Sequence, residues 1–434
     1  MPEPVLVEIR VADINDDEAR HYAEIAGGAH ADGALGRIVF CVSTDDLEEG
    51  KGDPYVALGL GKYLIRKGWG VSLWPTRRWH ETPDPEPTIA IVMLESFIPG
   101  LLPQSTTTIA WVRNWTDAWA ALPYLEEFDG IWCSSPASAD VIRSRYSGHI
   151  SVVPIATDLD LFSPDDNARV LPVVTTANYW GVERQLQSAL AAVAETIPVV
   201  WFGANGEHLK RAESIIHADR VSFFGLGTIY RQTKIVVDDL IEAAFAYGSQ
   251  NSRLFESIAC GAVPITNSAI GLDHLGLGAV PSYSDDRPLP EVIGALLDDE
   301  GALRDLSERL RRVVVERHSF RLRADEVAPL LDEAIQRSHL RGARPGVLVW
   351  AAGERLKLQA AESMRDGHLI TVRRLEREQL AERARAEAEL AALEQEREVV
   401  VAELKSILAS RAYRLALRLS LAVARLRHLG TKSR

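Results

Sequence analysis

Short, β-branched apolar runs alternate with helical stretches along this chain, and the alternation occurs in two series. In the first series RIVFCVS (37–43), WGVSLWP (69–75), TIAIVML (88–94), TTIAWV (107–112), GIWCSS (130–135) and HISVVPIA (149–156) read as strands, with helices such as YVALGLGKYLIRKG and ASADVIRSRY between them. Runs of this kind suit strands buried on both faces. Strands that alternate with helices build a parallel sheet covered on both sides. The pattern breaks at TDLDLFSPDDNARVLP (157–172), rich in Asp and Pro. It restarts with strands at VLPVVTTA, IPVVWFGA, RVSFFG, TKIVVDD and AVPITN, and helices over GVERQLQSALAAVAET, EHLKRAESIIHA and SRLFESIAC. The chain of 434 residues also exceeds the roughly 250–300 residues one core supports.

The expected architecture is therefore α/β, with two Rossmann-like lobes facing a cleft. An N-terminal preamble (1–36) precedes the lobes, which cover 37–165 and 166–335. A connection (336–367) and a helical extension (368–434) follow. Open α/β sheets bind ligands beyond the carboxyl ends of their strands, which places the site in the cleft.

A formal net charge of −13 argues against general nucleic-acid binding, which needs a basic face. Cys41, Cys133 and Cys260 lie far apart in apolar runs, with neither metal-ligand spacing nor a disulfide framework. The acidic start MPEPVLVEIRVADINDDEAR lacks the apolar region of a secretion signal, and no stretch has the ~18 apolar residues of a membrane span. A cytoplasmic protein is expected.

The segment richest in chemistry is YGSQNSRLFESIACGAVPITNS (247–268). Ser249, Asn251 and Ser252 are N-cap candidates, RLFESIAC reads as a helix, and Gly261 stops it before the strand VPIT. A helix start at a sheet's mouth offers unpaired N–H groups and partial positive charge, which suit a phosphate. Arg253 could pair with a diphosphate, and Glu256, one turn in, could accept hydrogen bonds from a ribose diol.

FESIACGAVPITNS (255–268) resembles the helix-and-strand signature of the group 1 glycosyltransferases, a family 4-like group of GT-B fold. VSFFGLG (221–227) is similar to the strand-and-glycine segment before that family's donor site, RHSFRLRADEVAPLL (317–331) to the closing helix of its second lobe, and ISVVPIATDLDLFSP to its interlobe crossing. GKGDPYVALGLGKYLIRKGWGVSLWP resembles the first-lobe glycine loop, helix and strand. The resemblance implies a nucleotide-sugar donor on the second lobe, an acceptor mainly on the first, no cofactor, and chemistry that usually needs no metal. It gives Glu256 the place of the second Glu of an E-x7-E motif, holding the ribose. The first Glu, which contacts the donor sugar in the family, is replaced by Gly248, so this is a divergent branch.

Further donor-site candidates are Asn251, Ser252, Gly225 and Gly52, with Arg253 first and Arg184 second as the cation that stabilises the leaving diphosphate. Asp53, Glu95 and Asp117 are candidate bases if the reaction inverts configuration; retention needs none. Gly50 and Gly52 open a loop that allows close approach to phosphate or acceptor. Trp111, Trp115 and Trp119 recur every fourth residue and would share a face if that stretch were helical, either stacking on sugars or packing in the core.

In the extension, Leu390, Leu393, Val400, Leu404 and Ile407 keep a 3-4 spacing, so 368–408 is a coiled-coil and homo-oligomer candidate, or else a solitary solvated helix. From Leu404 to Arg434 there is no Asp or Glu, and Arg411, Arg414, Arg418 and Arg425 fall broadly along one helical side. That basic amphipathic tail (404–434) suits an anionic membrane surface, which fits a lipid-linked or cell-surface glycan acceptor, or it docks on an acidic protein surface. The missing Glu and the long tail also motivate a reading without catalysis, as a sugar-binding scaffold in polysaccharide assembly. A nucleotide-sugar epimerase of the same fold is a third reading.

Overall fold

A computed structural model of the chain describes residues 15–178, 185–203, 214–218, 220–342, 345, 346 and 348–358, with single positions and short runs between 361 and 421. The chain divides into two units, Met1–Leu356 and Lys357–Arg434, and the first contains both lobes.

The first lobe begins with α1 (Asp16–Ala26) and β1 (Arg37–Val42), then α2 (Gly52–Arg66), β2 (Gly70–Pro75), β3 (Ile89–Val92), β4 (Thr107–Val112), α3 (Thr116–Ala120), β5 (Gly130–Cys133), α4 (Pro136–Arg143) and β6 (Ile150–Val152). Its six strands are all parallel, in the order β2-β1-β3-β4-β5-β6. The second lobe runs through β7 (Leu171–Thr175), α5 (Gln185–Ala194), β8 (Val199–Phe202), β9 (Ile216–Ala218), α6 (Leu226–Arg231), β10 (Thr233–Asp238), α7 (Glu242–Phe245), α8 (Ser252–Ala259), β11 (Val263–Thr266), α9 (Leu289–Leu297) and α10 (Glu300–Arg317). Its five parallel strands lie in the order β11-β10-β7-β8-β9. Most of the runs that read as strands are buried along their length, β3 and β4 completely, because helices cover both faces, whereas the edge strand β6 is only half-buried. Pro264 sits in the edge strand β11, where a missing N–H can face away from the ladder.

α11 (Phe320–Leu340) runs past residue 335, the expected end of the second lobe, and packs against α2 and β4 of the first. Two crossings thus join the lobes. They meet where Thr157 accepts from Phe320 N and donates its own N–H to the His318 carbonyl. Beside that point Lys62 is fully buried, its ammonium 2.7 Å from Glu18, 2.9 Å from Asp158 and 2.7 Å from Asp160. Tyr22 and Tyr63 donate to Asp158 as well. A buried ammonium is tolerated only when paired in this way, and here the pairing ties α1 and α2 to the first crossing.

Three local expectations are corrected. RVSFFG is not a strand: Phe223–Gly225 form a tight 3-10 turn that leads directly into α6. The end of the expected helix EHLKRAESIIHA is the strand β9; residues 204–213 lie outside the described residues. The three tryptophans do not share a helix face. Trp111 is in β4 and packs on Trp132, Trp115 turns the chain at φ 56°, and Trp119 is buried in α3 against Phe128.

The described residues of the second unit are helical, and Leu393, Val400, Leu404, Leu415 and Leu419 are exposed there. Leu390, Ile407 and Arg425 lie outside the described residues, as do residues 1–14 of the preamble. Among the described residues no helix is long and apolar enough to cross a membrane.

Candidate active site in the interlobe cleft

The carboxyl ends of both sheets open onto one cavity of about 150 Å³. Gly50, Gly52 and Tyr55 line it from the first lobe, Thr157 and Asp158 from the crossing, and Phe320 from the start of α11. The second lobe contributes Thr176 and Asn178 after β7, Gly203 after β8, Arg220 after β9, and Ser252, Arg253 and Glu256 of α8. An aromatic contact closes one side, with Tyr55 stacked on Phe223 at a centroid distance of 4.0 Å across the lobes.

Packing sets the rotation of α8. Leu254, Phe255 and Ile258 are fully buried, each contributing about 1.5–3 kcal/mol. With that face in the core, Ser252, Arg253 and Glu256 are left on the cavity side, at i,i+3 and i,i+4 spacings. Asn251 occupies the N-cap position as expected but makes no side-chain cap bond; its amide instead donates to the Asp239 carbonyl at 3.4 Å.

Arg253 is more constrained than the sequence suggested. Its Nη1 lies 2.5 Å from Asp238 Oδ1, its Nε donates to Thr176 Oγ1 at 2.9 Å, and its Nη2 reaches the Thr176 carbonyl at 3.3 Å. Burial opposes the guanidinium charge, but the Asp238 carboxylate beside it holds Arg253 protonated well above its ordinary range. The result is a cation fixed in position at the cleft wall, with much of its hydrogen-bonding capacity already used. Glu256 differs. It is 5% exposed, and burial pushes its carboxyl up to about 7, against the opposing effects of the Ser252 hydrogen bond and the Arg253 charge.

Gly248, where the resemblance places a Glu, adopts φ +61°. A Cβ there would lie 2.3 Å from the Ile270 carbonyl oxygen, so the position has no room for any side chain.

The remaining candidates separate. Gly52 lines the cavity. Gly225 is buried in the turn before α6 and does not line it, although its neighbours Phe223 and Leu226 do. Asp53 is not placed as a base: its two carboxylate oxygens accept from Ser43 N at 2.6 Å and Ser43 Oγ at 2.7 Å, which shapes the loop after β1. Asp117 accepts from the Tyr247 hydroxyl at 2.5 Å and so links the lobes. Glu95 is half-buried near Arg113. Arg184 lies outside the described residues. The sequence reading missed Tyr55, Asn178 and Arg220. The Arg220 guanidinium approaches Gly50 closely enough that a Cβ there would meet its Cζ at 3.1 Å. Among the described residues no hydrogen bond or ion pair engages it, and the only signal was its place just before VSFFG.

Comparison with known proteins matches this arrangement. A family described as glycosyl transferase-like covers residues 183–328. Sucrose-phosphate synthase from Thermosynechococcus elongatus superposes with a TM-score of 0.52 at 14% identity, over 69% of this chain and 99% of that one. The chain has the GT-B fold. The part of the chain similar to the glycosyl transferase-like family lies in its second lobe and the start of α11. Anabaena HepE in complex with UDP-glucose superposes on this GT-B frame with a TM-score of 0.52 at 11% identity, over 68% of this chain and 99% of that one. A glycosyltransferase from Rickettsia africae gives 0.50 at 12% identity, over 69% and 98%. No curated protein matches in sequence.

Proposed function

We propose that the protein is a hexosyltransferase that moves a sugar from a nucleotide-sugar donor, held mainly by the second lobe, to a saccharide acceptor on the first. The observation that carries this is the first turn of α8, with Ser252, Arg253 and Glu256 lining the cleft of a GT-B frame. In this reading the ribose diol donates to Glu256, and the diphosphate lies against the helix start, where backbone N–H groups and a fixed guanidinium offset the charge that develops as the glycosidic bond breaks. Arg253 and Arg220, both on the cavity wall, take the place of a metal at the diphosphate in this reading. That HepE is described in complex with UDP-glucose supports a nucleotide-sugar donor.

The acceptor in this proposal is a lipid-linked or cell-surface glycan in polysaccharide biosynthesis, reached from the cytoplasm. The basic segment 404–434 holds the enzyme peripherally on an anionic membrane, and 368–408 pairs copies of the chain. Full-length protein should release nucleoside diphosphate from one member of a panel of UDP-, GDP- and ADP-sugars, and Glu256→Ala should lose most of that turnover. The closed packing at Gly248, which leaves no room for the family's first Glu, favours a second reading as a sugar-binding scaffold. A panel with binding but no turnover would establish the scaffold instead.

A further inference from the structure

We propose that His21, Glu24 and His30 form a binding site for a divalent transition-metal ion of the zinc type, outside the cleft and independent of its chemistry. His21 and Glu24 stand one turn apart on the same side of α1. Gly28, at φ +82°, then turns the chain so that His30 comes back beside them. Glu24 Oε2 lies 3.9 Å from His21 Nδ1 and 4.0 Å from His30 Nε2, and the three ligand atoms are all within 4.8 Å of one another. The two imidazoles are 5.6 Å apart, edge to face.

Zinc held at about 2.0–2.1 Å by nitrogen and oxygen ligands spaces those ligands roughly 3.4 Å apart in a tetrahedron. The two separations from Glu24, 3.9 and 4.0 Å, exceed that by roughly half an ångström, and the one between the imidazole nitrogens by at most about 1.4 Å. The side chains are 30%, 50% and 33% exposed, so small rotamer changes can close the gap. The backbone beneath them is already anchored. The His30 carbonyl accepts from Val71 N at 2.6 Å beside β2, and Ala29 N donates to the Glu24 carbonyl at 2.9 Å. Two imidazoles and one carboxylate select zinc, copper, nickel or cobalt over the oxygen-seeking magnesium and calcium. The site also lies at the carboxyl end of α1, whose last turn carries no basic residue, so the helix dipole favours a cation there.

Three protein ligands leave a fourth position for water. Bound metal would clip the end of α1 to the loop that joins the β2 edge. The same helix carries Glu18 to Lys62 and Tyr22 to Asp158 at the first crossing, so the metal would stabilise the docking of α1.

The experiment uses the full chain, stripped with chelator and titrated with Zn2+ by calorimetry, then with Co2+ by visible absorption. Wild type should bind one equivalent more than the double variant His21→Ala/His30→Ala, and its Co2+ form should show the intense visible bands of a tetrahedral nitrogen–oxygen site. Glu24→Gln, on a half-exposed side chain, should bind Zn2+ more weakly while its metal-free melting temperature stays at the wild-type value. Equal zinc stoichiometry and affinity in wild type and the double variant, or unchanged affinity in Glu24→Gln, would overturn the site and leave only a histidine–carboxylate contact.

Discussion

Replacing Glu256 with Gln removes a buried acid whose titration the cleft has displaced from an ordinary 4.5 up to about 7. A folded-state value above the unfolded one means that the native protein holds the extra proton. The stability linked to that proton is full below about pH 4.5 and is lost as pH rises through about 7. At about 1.36 kcal/mol per unit, the displacement corresponds to roughly 3 kcal/mol, which the wild type forfeits between about pH 4 and pH 8 and Glu256→Gln does not. A ribose diol that donates to the carboxylate favours its charged form. Nucleotide binding below about pH 7 must then expel the proton, and wild-type affinity should climb by up to about tenfold per pH unit until it levels off near 7. In Glu256→Gln this contribution is flat. At pH 8 the variant should bind about 10–100-fold more weakly, the value of hydrogen bonds to a charged acceptor, about 1.5–3 kcal/mol. Calorimetry with UDP and GDP from about pH 5.5 to 8, in buffers of different ionisation enthalpy, measures affinity and proton release together. The nucleotide's own phosphate titrates in both proteins, so the difference between the two curves isolates Glu256. Parallel curves with equal proton release would refute the ribose contact.

Other substitutions test the rest of the structure. Gly248→Glu should not restore a donor contact; a left-handed backbone and a Cβ 2.3 Å from the Ile270 carbonyl should cost at least about 1–2 kcal/mol, read as a lower denaturation midpoint with no gain in turnover. Lys62→Met leaves the buried Asp158 without its cation and should destabilise the protein by about 3–5 kcal/mol in urea unfolding; a loss under about 1 kcal/mol would show that the ammonium is not what holds the crossing. Asp53→Asn removes one acceptor from Ser43 and should cost about 1–3 kcal/mol of stability while turnover falls by less than about tenfold. A general base in its place would lose about 10²–10⁴-fold.

Much of this fold was legible because buried parallel strands announce themselves in β-branched runs such as RIVFCV and TTIAWV. The three-residue β9 escaped notice because Ile216 is exposed and the strand is too short to carry a period. The Trp111–Trp115–Trp119 spacing misled for a different reason. Four-residue recurrence implies a shared face only inside a helix, and here a strand end and a left-handed turn intervene. At the site, α8 and the place of Glu256 followed from local signals, a polar start and an amphipathic pattern. The partners of those residues did not. That Asp238 and Thr176 claim the Arg253 guanidinium, and that Ser43 claims Asp53, depends on which loops the two sheets bring together. Gly248 lay between these cases: its departure from the family pattern was visible, but the reason, the Ile270 carbonyl packed against it, is tertiary.

Diffraction from crystals of the full chain soaked with a nucleoside diphosphate tests the donor site most directly. The ribose hydroxyls should lie about 3 Å from the Glu256 carboxylate, with the phosphates against the first turn of α8. A nucleotide bound elsewhere, with Glu256 still facing an open cleft, would contradict the assignment of this helix as the donor site.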